Sequence, residues 1–177
     1  TSKVGLAADH RTTEAYIRAA DVPFVFLRNS WYLENYSEHL APVLQYGAVL
    51  GSAGQGRVAA AARADYAAAA VSVLTGTGHA GKTHELAGDV AFTMAELAAE
   101  VARQAGKPVV YNDMPAPAYS GALQGAGLPA AYAELLADSD LGIARGELDD
   151  RGGDLHRLIG RPTTSLADAI AAALKQA

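Results

Sequence analysis

Apolar and polar positions along the chain follow two different rhythms near its start. Between residues 6 and 20, Leu6, Tyr16, Ile17 and Ala20 recur among polar neighbours at helical spacing, and Pro23 follows shortly after. This predicts a helix. Pro23-Phe24-Val25-Phe26-Leu27 is instead a continuous apolar run rich in aromatic and β-branched residues, as expected of a strand buried on both faces of a parallel sheet. A helix leading directly into such a strand is the repeating unit of a doubly wound sheet, whose ligands sit beyond the carboxyl ends of strands. Residues 28 to 34 are therefore the expected ligand position.

Further along, Ala48-Val49-Leu50 and Arg57-Val58-Ala59 flank the glycine-rich stretch from Gly51 to Gly56, which predicts a short hairpin. Arg63-Ala64-Asp65-Tyr66 opens an alanine-rich helix to about residue 75, with Asp65 in its first turn complementing the dipole. Lys82 to Leu86 reads as a strand. Thr93 with Glu96 three residues later forms a capping box for an amphipathic helix that stops near Gly106, and Pro108 to Tyr111 reads as another strand. From Pro115 to Ala177 the chain is expected to be mostly helical, interrupted at Gly125-Ala126-Gly127, Gly152-Gly153 and Pro162.

These elements predict an α/β fold: the back part of a doubly wound Rossmann-type parallel sheet plus a smaller, mostly helical domain. The expected division assigns residues 1–87 to the sheet, with interleaved segments of the second domain, and residues 88–177 to the helical part. One buried strand near the start cannot make a parallel sheet alone, so its neighbours are expected upstream. The opening Thr1-Ser2-Lys3, with no methionine and no apolar leader, reads as a cut or processed end.

Composition narrows the function. Half of the 177 residues are hydrophobic and 19% are charged, which suits a globular protein of one or two small domains. The net charge of -5 supplies no basic patch for a nucleic acid backbone. Absence of cysteine removes disulfides and thiolate metal sites and suits a reducing cytoplasm. Every apolar run is interrupted before the length needed to cross a bilayer, so no membrane partner is expected.

Several motifs invite a chemical reading. Gly76-Thr77-Gly78-His79-Ala80-Gly81-Lys82-Thr83 satisfies the spelling of a phosphate loop and of G-x-G-x-x-G, but both need a strand before the glycines and a helix after them. Here the expected order is reversed, which favours a surface loop. Gly51, Gly54 and Gly56 likewise suit a turn better than a phosphate cradle. His84-Glu85 lacks the second histidine of a zinc protease helix, and the histidines at 10, 39, 79, 84 and 156 show no ligand spacing, so no metal is expected. His10 and Glu14 would share a helical face as a surface pair. No G-x-S-x-G elbow is present, and none of the eight tyrosines has lysine four residues on. Hydride transfer would therefore suit an acceptor that tolerates protonation from water, such as a quinone rather than a ketone.

At Leu27-Arg28-Asn29-Ser30-Trp31-Tyr32-Leu33-Glu34-Asn35-Tyr36 the sequence resembles the NmrA-like branch of atypical short-chain dehydrogenases/reductases, in particular the type 2 NAD(P)H:quinone oxidoreductases of bacteria. The likeness continues through Gly54-Gln55-Gly56, Ala61 to Ala67, Gly81-Lys82, Glu85 to Asp89, Leu136 to Asp140 and Leu158 to Thr164, in order. It implies a Rossmann domain followed by a smaller helical domain, with the nicotinamide in the cleft between them. It also implies that Asn29, Ser30, Trp31, Tyr32, Leu33 and Glu34 line the cofactor and quinone cleft, and that Arg63 contacts the cofactor. The expected cofactor is NADPH, with NADH as the other candidate, and the expected partner is a small quinone; a homodimer is left open. On the residues themselves, Trp31 and Tyr32 offer flat faces to a ring or else plug the domain junction, and Arg63 can pair with phosphate. The family's opening strand, glycine-rich turn and cofactor-selecting basic residue have no counterpart in these residues. The competing readings are a redox-sensing regulator that binds dinucleotide without turnover, and a helical domain with no ligand.

Overall fold

The computed structural model describes residues 2–175. Thr1 and the last two residues of the expected helical region, Gln176 and Ala177, lie outside the described residues. The elements run in the order α1 (Leu6–Ala19), β1 (Phe26–Asn29), α2 (Glu34–Ser37), α3 (Leu40–Tyr46), β2 (Ala48–Gly51), β3 (Arg57–Val58), α4 (Arg63–Thr75), β4 (Thr83–Leu86), β5 (Phe92–Thr93), α5 (Met94–Ala105), β6 (Val110–Asp113), α6 (Ala116–Gly125), α7 (Ala130–Ala144), α8 (Asp154–Ile159) and α9 (Leu166–Leu174). The fold is α/β, with two of its three strand pairs parallel: β1 with β4 and β2 with β6, while β3 and β5 run antiparallel.

The capping box at α5 forms as its spelling requires. Thr93 accepts from the Glu96 amide, and the Glu96 carboxylate accepts from the Thr93 amide at 2.7 Å. Met94, Leu97, Ala98 and Val101 form the helix's buried stripe. They join Leu33, Val49, Val58, Phe92, Ile143 and Ile170 in the main core. A second, smaller core gathers Ala61, Tyr66, Ala69, Leu86 and Leu155 between α4, β4 and α8.

Two local expectations need correction. The first strand covers residues 26–29, and of the run from Pro23 to Leu27 only Phe26 is buried. Its ladder starts where the Phe26 amide meets the Lys82 carbonyl, just before β4 begins, so the register of the partner sets the start. The flanks of Gly51 to Gly56 do not form a hairpin: β2 pairs with β6, and β3 with β5. The intervening loop is held by distant side chains instead. Ser52 N donates to Asp140, Ala53 N to the Tyr111 hydroxyl and Gly54 N to Asp113, at 2.7, 2.9 and 2.9 Å. Gly56 serves close approach, since a Cβ there would stand 2.2 Å from the Ile143 carbonyl oxygen.

Asp65 does more than face a helix dipole. Fully buried, it accepts from the Thr164 amide at 2.7 Å and pairs with Arg161, tying α4 to the segment before α9. Glu14 pairs with Arg28 and Arg18 rather than with His10, and Arg28 continues to Glu85, which fastens α1 to β1 and β4. Among the described residues, no helix is long and apolar enough to cross a membrane.

Candidate functional site

Beyond Asn29, the last residue of β1, the chain leaves β4 and joins another segment. The Ser30 amide still donates to Leu86, but the Trp31 carbonyl accepts from Ala61, Tyr32 bridges to Ala61, and the Leu33 amide donates to the Ala61 carbonyl. Residues 30 to 33 are thus clamped by backbone bonds on a stretch that leads straight into α4. This clamp brings Asn29 and Tyr32 beside Arg63, 31 positions or more away in sequence. Together with Leu27, Tyr66, Ala67 and Ala70 they line a depression of about 320 Å³.

Its geometry is aromatic and cationic. The Arg63 guanidinium carbon lies 4.2 Å from the centre of the Tyr32 ring, within cation–π range. Tyr66 meets Tyr32 edge-on, with ring centres 5.4 Å apart, and its hydroxyl donates to the Trp31 carbonyl at 3.1 Å. Burial pushes the Tyr66 phenol well above its ordinary pKa, so it stays a donor. Asn29 Nδ2 reaches the Tyr32 hydroxyl at 3.4 Å.

The other residues of the loop are placed differently. Leu33 is buried in the main core, and Trp31 packs against that core rather than lining the depression. Ser30 contributes its backbone to the clamp. Glu34 Oε1 accepts from the Arg63 amide at 2.9 Å, filling the N-terminal turn of α4. One face of Tyr32 is covered by Arg63, so the guanidinium contributes a flat surface there alongside the ring.

Tyr66, Leu27, Ala67 and Ala70 were not among the residues singled out from sequence. The signal existed: Arg63, Tyr66, Ala67 and Ala70 are spaced three, four and seven apart, one stripe of α4. Alanine bias concealed it. The Gly76 to Gly81 stretch runs from the end of α4 into β4, with no helix following, and so has the wrong flanks for a phosphate cradle.

A second polar cluster lies around the loop after β2. Asp140, on α7, is mostly buried; burial pushes its carboxyl up to about 6, with the Asp113 charge adding and the Ser52 amide opposing. Burial, with the Asp140 charge adding, raises the Tyr36 phenol well above its ordinary range.

No family model matches the chain. Quinone oxidoreductase 2 of Escherichia coli (strain K12) is 45% identical over 170 residues, covering 96% of this chain and 59% of that protein. The crystal structure of an NADPH-dependent quinone oxidoreductase from Escherichia coli, complexed with NADPH, superposes with a TM-score of 0.96 at 44% identity, over 98% of this chain and 62% of that one. NmrA, a negative transcriptional regulator solved with NAD, matches at a TM-score of 0.68 and 14% identity, over 93% of this chain and 57% of that one, a likeness of fold alone. The chain spans about three fifths of the length of these relatives. Over almost its whole length, then, this chain is a close homologue of quinone oxidoreductase 2, built on the α/β fold that NmrA shares.

Proposed function

We propose that the chain is part of a reductase that transfers hydride from NADPH, or from NADH, to a small quinone at the depression beyond β1. The observation that carries this reading is the convergence of Asn29, Tyr32 and Arg63 at the carboxyl end of a parallel strand, where ligands of such sheets bind. Support comes from the E. coli relative, named as a quinone oxidoreductase and solved with NADPH.

The described residues fit the ring end of a dinucleotide better than its phosphates. Arg63 and Tyr32 offer flat surfaces to a nicotinamide or quinone ring, and Tyr66 holds Tyr32 from the side. The N-terminal turn of α4 is occupied by the Glu34 carboxylate, and neither glycine-rich stretch opens onto a helix, so the pyrophosphate finds no cradle among these residues. When bound, the dinucleotide supplies the hydride. The protein's share is proximity: holding two flat rings together in one orientation. Asn29, Ser30, Trp31, Tyr32, Leu33 and Glu34 then act as one loop, with Trp31 and Leu33 anchoring it in the core while Asn29 and Tyr32 face the ligand.

We further place the division between the Rossmann-type part and the helical part near residue 87. The lack of cysteine favours a cytoplasmic protein, the interrupted apolar runs and the net charge of -5 favour a small-molecule partner over membrane or nucleic acid, and a homodimer is compatible with this. NADPH consumption that depends on added quinone tests the function; NADPH binding without consumption would favour the sensing regulator. Arg63→Ala is expected to weaken NADPH binding about tenfold, the scale of a lost charge-assisted contact, while changing saturated turnover less. Unchanged NADPH affinity, measured by fluorescence titration, would remove Arg63 from the cofactor site.

A further inference from the structure

A quinone that has taken a hydride carries a negative charge on one oxygen, and a proton must reach that oxygen. The tyrosine-lysine pair that commonly delivers it is missing from the sequence, so a donor has to be sought in the geometry. The tyrosines sort by the partner of each hydroxyl. Tyr66 donates to the Trp31 carbonyl and Tyr111 donates to Asp113. Tyr36 and Tyr119 sit in the cluster with Asp140, and Tyr16, Tyr46 and Tyr132 are exposed away from the depression. Of the two tyrosines that line the depression, Tyr66 has its proton committed to the Trp31 carbonyl and Tyr32 does not; Tyr36 also lacks a hydroxyl partner but lies buried outside the depression. The Tyr32 oxygen accepts from Asn29 Nδ2, and among the described residues its proton has no acceptor.

A cation and a hydrogen-bond donor flank Tyr32. The Arg63 guanidinium lies over the Tyr32 ring, and the Asn29 amide points at its oxygen, so both a cation and a donor are in place before any ligand arrives. Tyr66 acts as a positioning residue: anchored on the Trp31 carbonyl, its ring fixes the edge of Tyr32.

We propose that Tyr32 donates its hydroxyl proton to the acceptor oxygen of the ligand in the depression, with Arg63 and Asn29 stabilising the phenolate left behind. The Tyr32 O–H bond breaks, its electron pair stays on the Tyr32 oxygen, and a new O–H bond forms on the reduced quinone. Water then returns a proton to Tyr32. Hydride plus proton converts quinone to hydroquinone, and since the hydride is that of the dinucleotide, the proposal rests on the function proposed above.

The test uses Tyr32→Phe, which keeps the ring and its contact with Arg63 and removes only the hydroxyl. Trp31 is the one tryptophan of the chain and adjoins Tyr32, so its fluorescence reports occupancy of the depression without any cofactor. Two probes are titrated: menadione, and methylnaphthalene, which has the same flat shape and no carbonyl. The substitution is expected to weaken menadione binding about tenfold, the scale of one lost hydrogen bond in a desolvated site, and to leave methylnaphthalene unchanged. Equal loss for both probes, no loss for either, or no menadione binding by the unsubstituted protein overturns the proposal. In the presence of NADPH, saturated quinone-dependent turnover is expected to fall about a hundredfold. Turnover that survives the substitution overturns the proposal and leaves the reductase function standing. Absence of turnover in the unsubstituted protein overturns the reductase function and the proton transfer with it, and Tyr32-dependent menadione binding in that case marks Tyr32 as a hydrogen-bonding residue only.

Discussion

At the scale of single residues, the informative groups are polar ones that the chain hides. Asp140 holds the Ser52 amide from α7, in a pocket where burial raises its carboxyl to about 6 from an ordinary value of about 3.9. A carboxyl raised on folding favours the folded state in its neutral form. Its contribution is therefore fully present below about pH 4 and lost as pH rises through about 6, a difference of about 3 kcal/mol for two units. Asp140→Asn keeps an oxygen for Ser52 and removes the titration. Relative to the wild type, this variant is expected to be more stable at pH 7 and to lose that advantage at pH 4.5, as read from urea midpoints; parallel pH profiles would contradict it. Asp140 stands inside the Leu136 to Asp140 stretch of the family resemblance, yet nothing in the sequence marks it as buried, because its neighbours Ser52, Asp113, Tyr36 and Tyr119 come from distant parts of the chain. Arg63 and Tyr32 were legible as candidates, but their stacking was not, since it depends on the backbone clamp between residues 30–33 and Ala61.

Elements with local signals form where those signals lie. The α5 cap needs only Thr93, Glu96 and the stripe of Met94, Leu97 and Val101, all within one stretch of chain. Thr93→Ala is expected to cost about 1 kcal/mol in urea unfolding, and Thr93→Ser much less, because serine retains the cap oxygen. Strands behave differently, since each is defined by a partner elsewhere. The glycine-rich stretch after β2 predicted a hairpin because its flanks are apolar and its glycines permit reversal; the actual partners are β6, 62 residues beyond the paired positions of β2, and β5, whose paired positions lie 34 and 36 residues beyond those of β3. Gly88 shows how tight these non-local contacts become. A Cβ there would stand 2.1 Å from the Ala60 carbonyl oxygen, a backbone atom that cannot swing aside. Gly88→Ala is expected to cost about 3 kcal/mol, the upper range of overpacking, and an unchanged unfolding midpoint would show that the β4 end can yield.

Over the whole molecule, burial is uneven. None of the fourteen residues of α1 is buried, Tyr16 is 73% exposed, and the helix is held mainly by the Glu14–Arg28–Glu85 chain of ion pairs and by the Gly5 amide on Asp138. Exposed ion pairs contribute little, so α1 is expected to open at low free energy while α5 opens only with the core. Hydrogen exchange should show α1 amides exchanging far faster than those of α5; comparable protection would mean that something covers the helix in solution. The sequence by itself determined the α/β class, most helix positions, the cap of α5 and the segment from 28 to 34 as the place to look, because helical periodicity, caps and apolar runs are properties of neighbouring residues. Only the tertiary structure decided the strand pairing, the fate of the glycine-rich loop, and which loop residues line the depression. Leu33 and Tyr32 are adjacent and comparably suited to a ring contact by composition, yet one fills the core and the other lines the depression. Alternate residues of an extended segment point to opposite sides, and which side is core depends on what packs there.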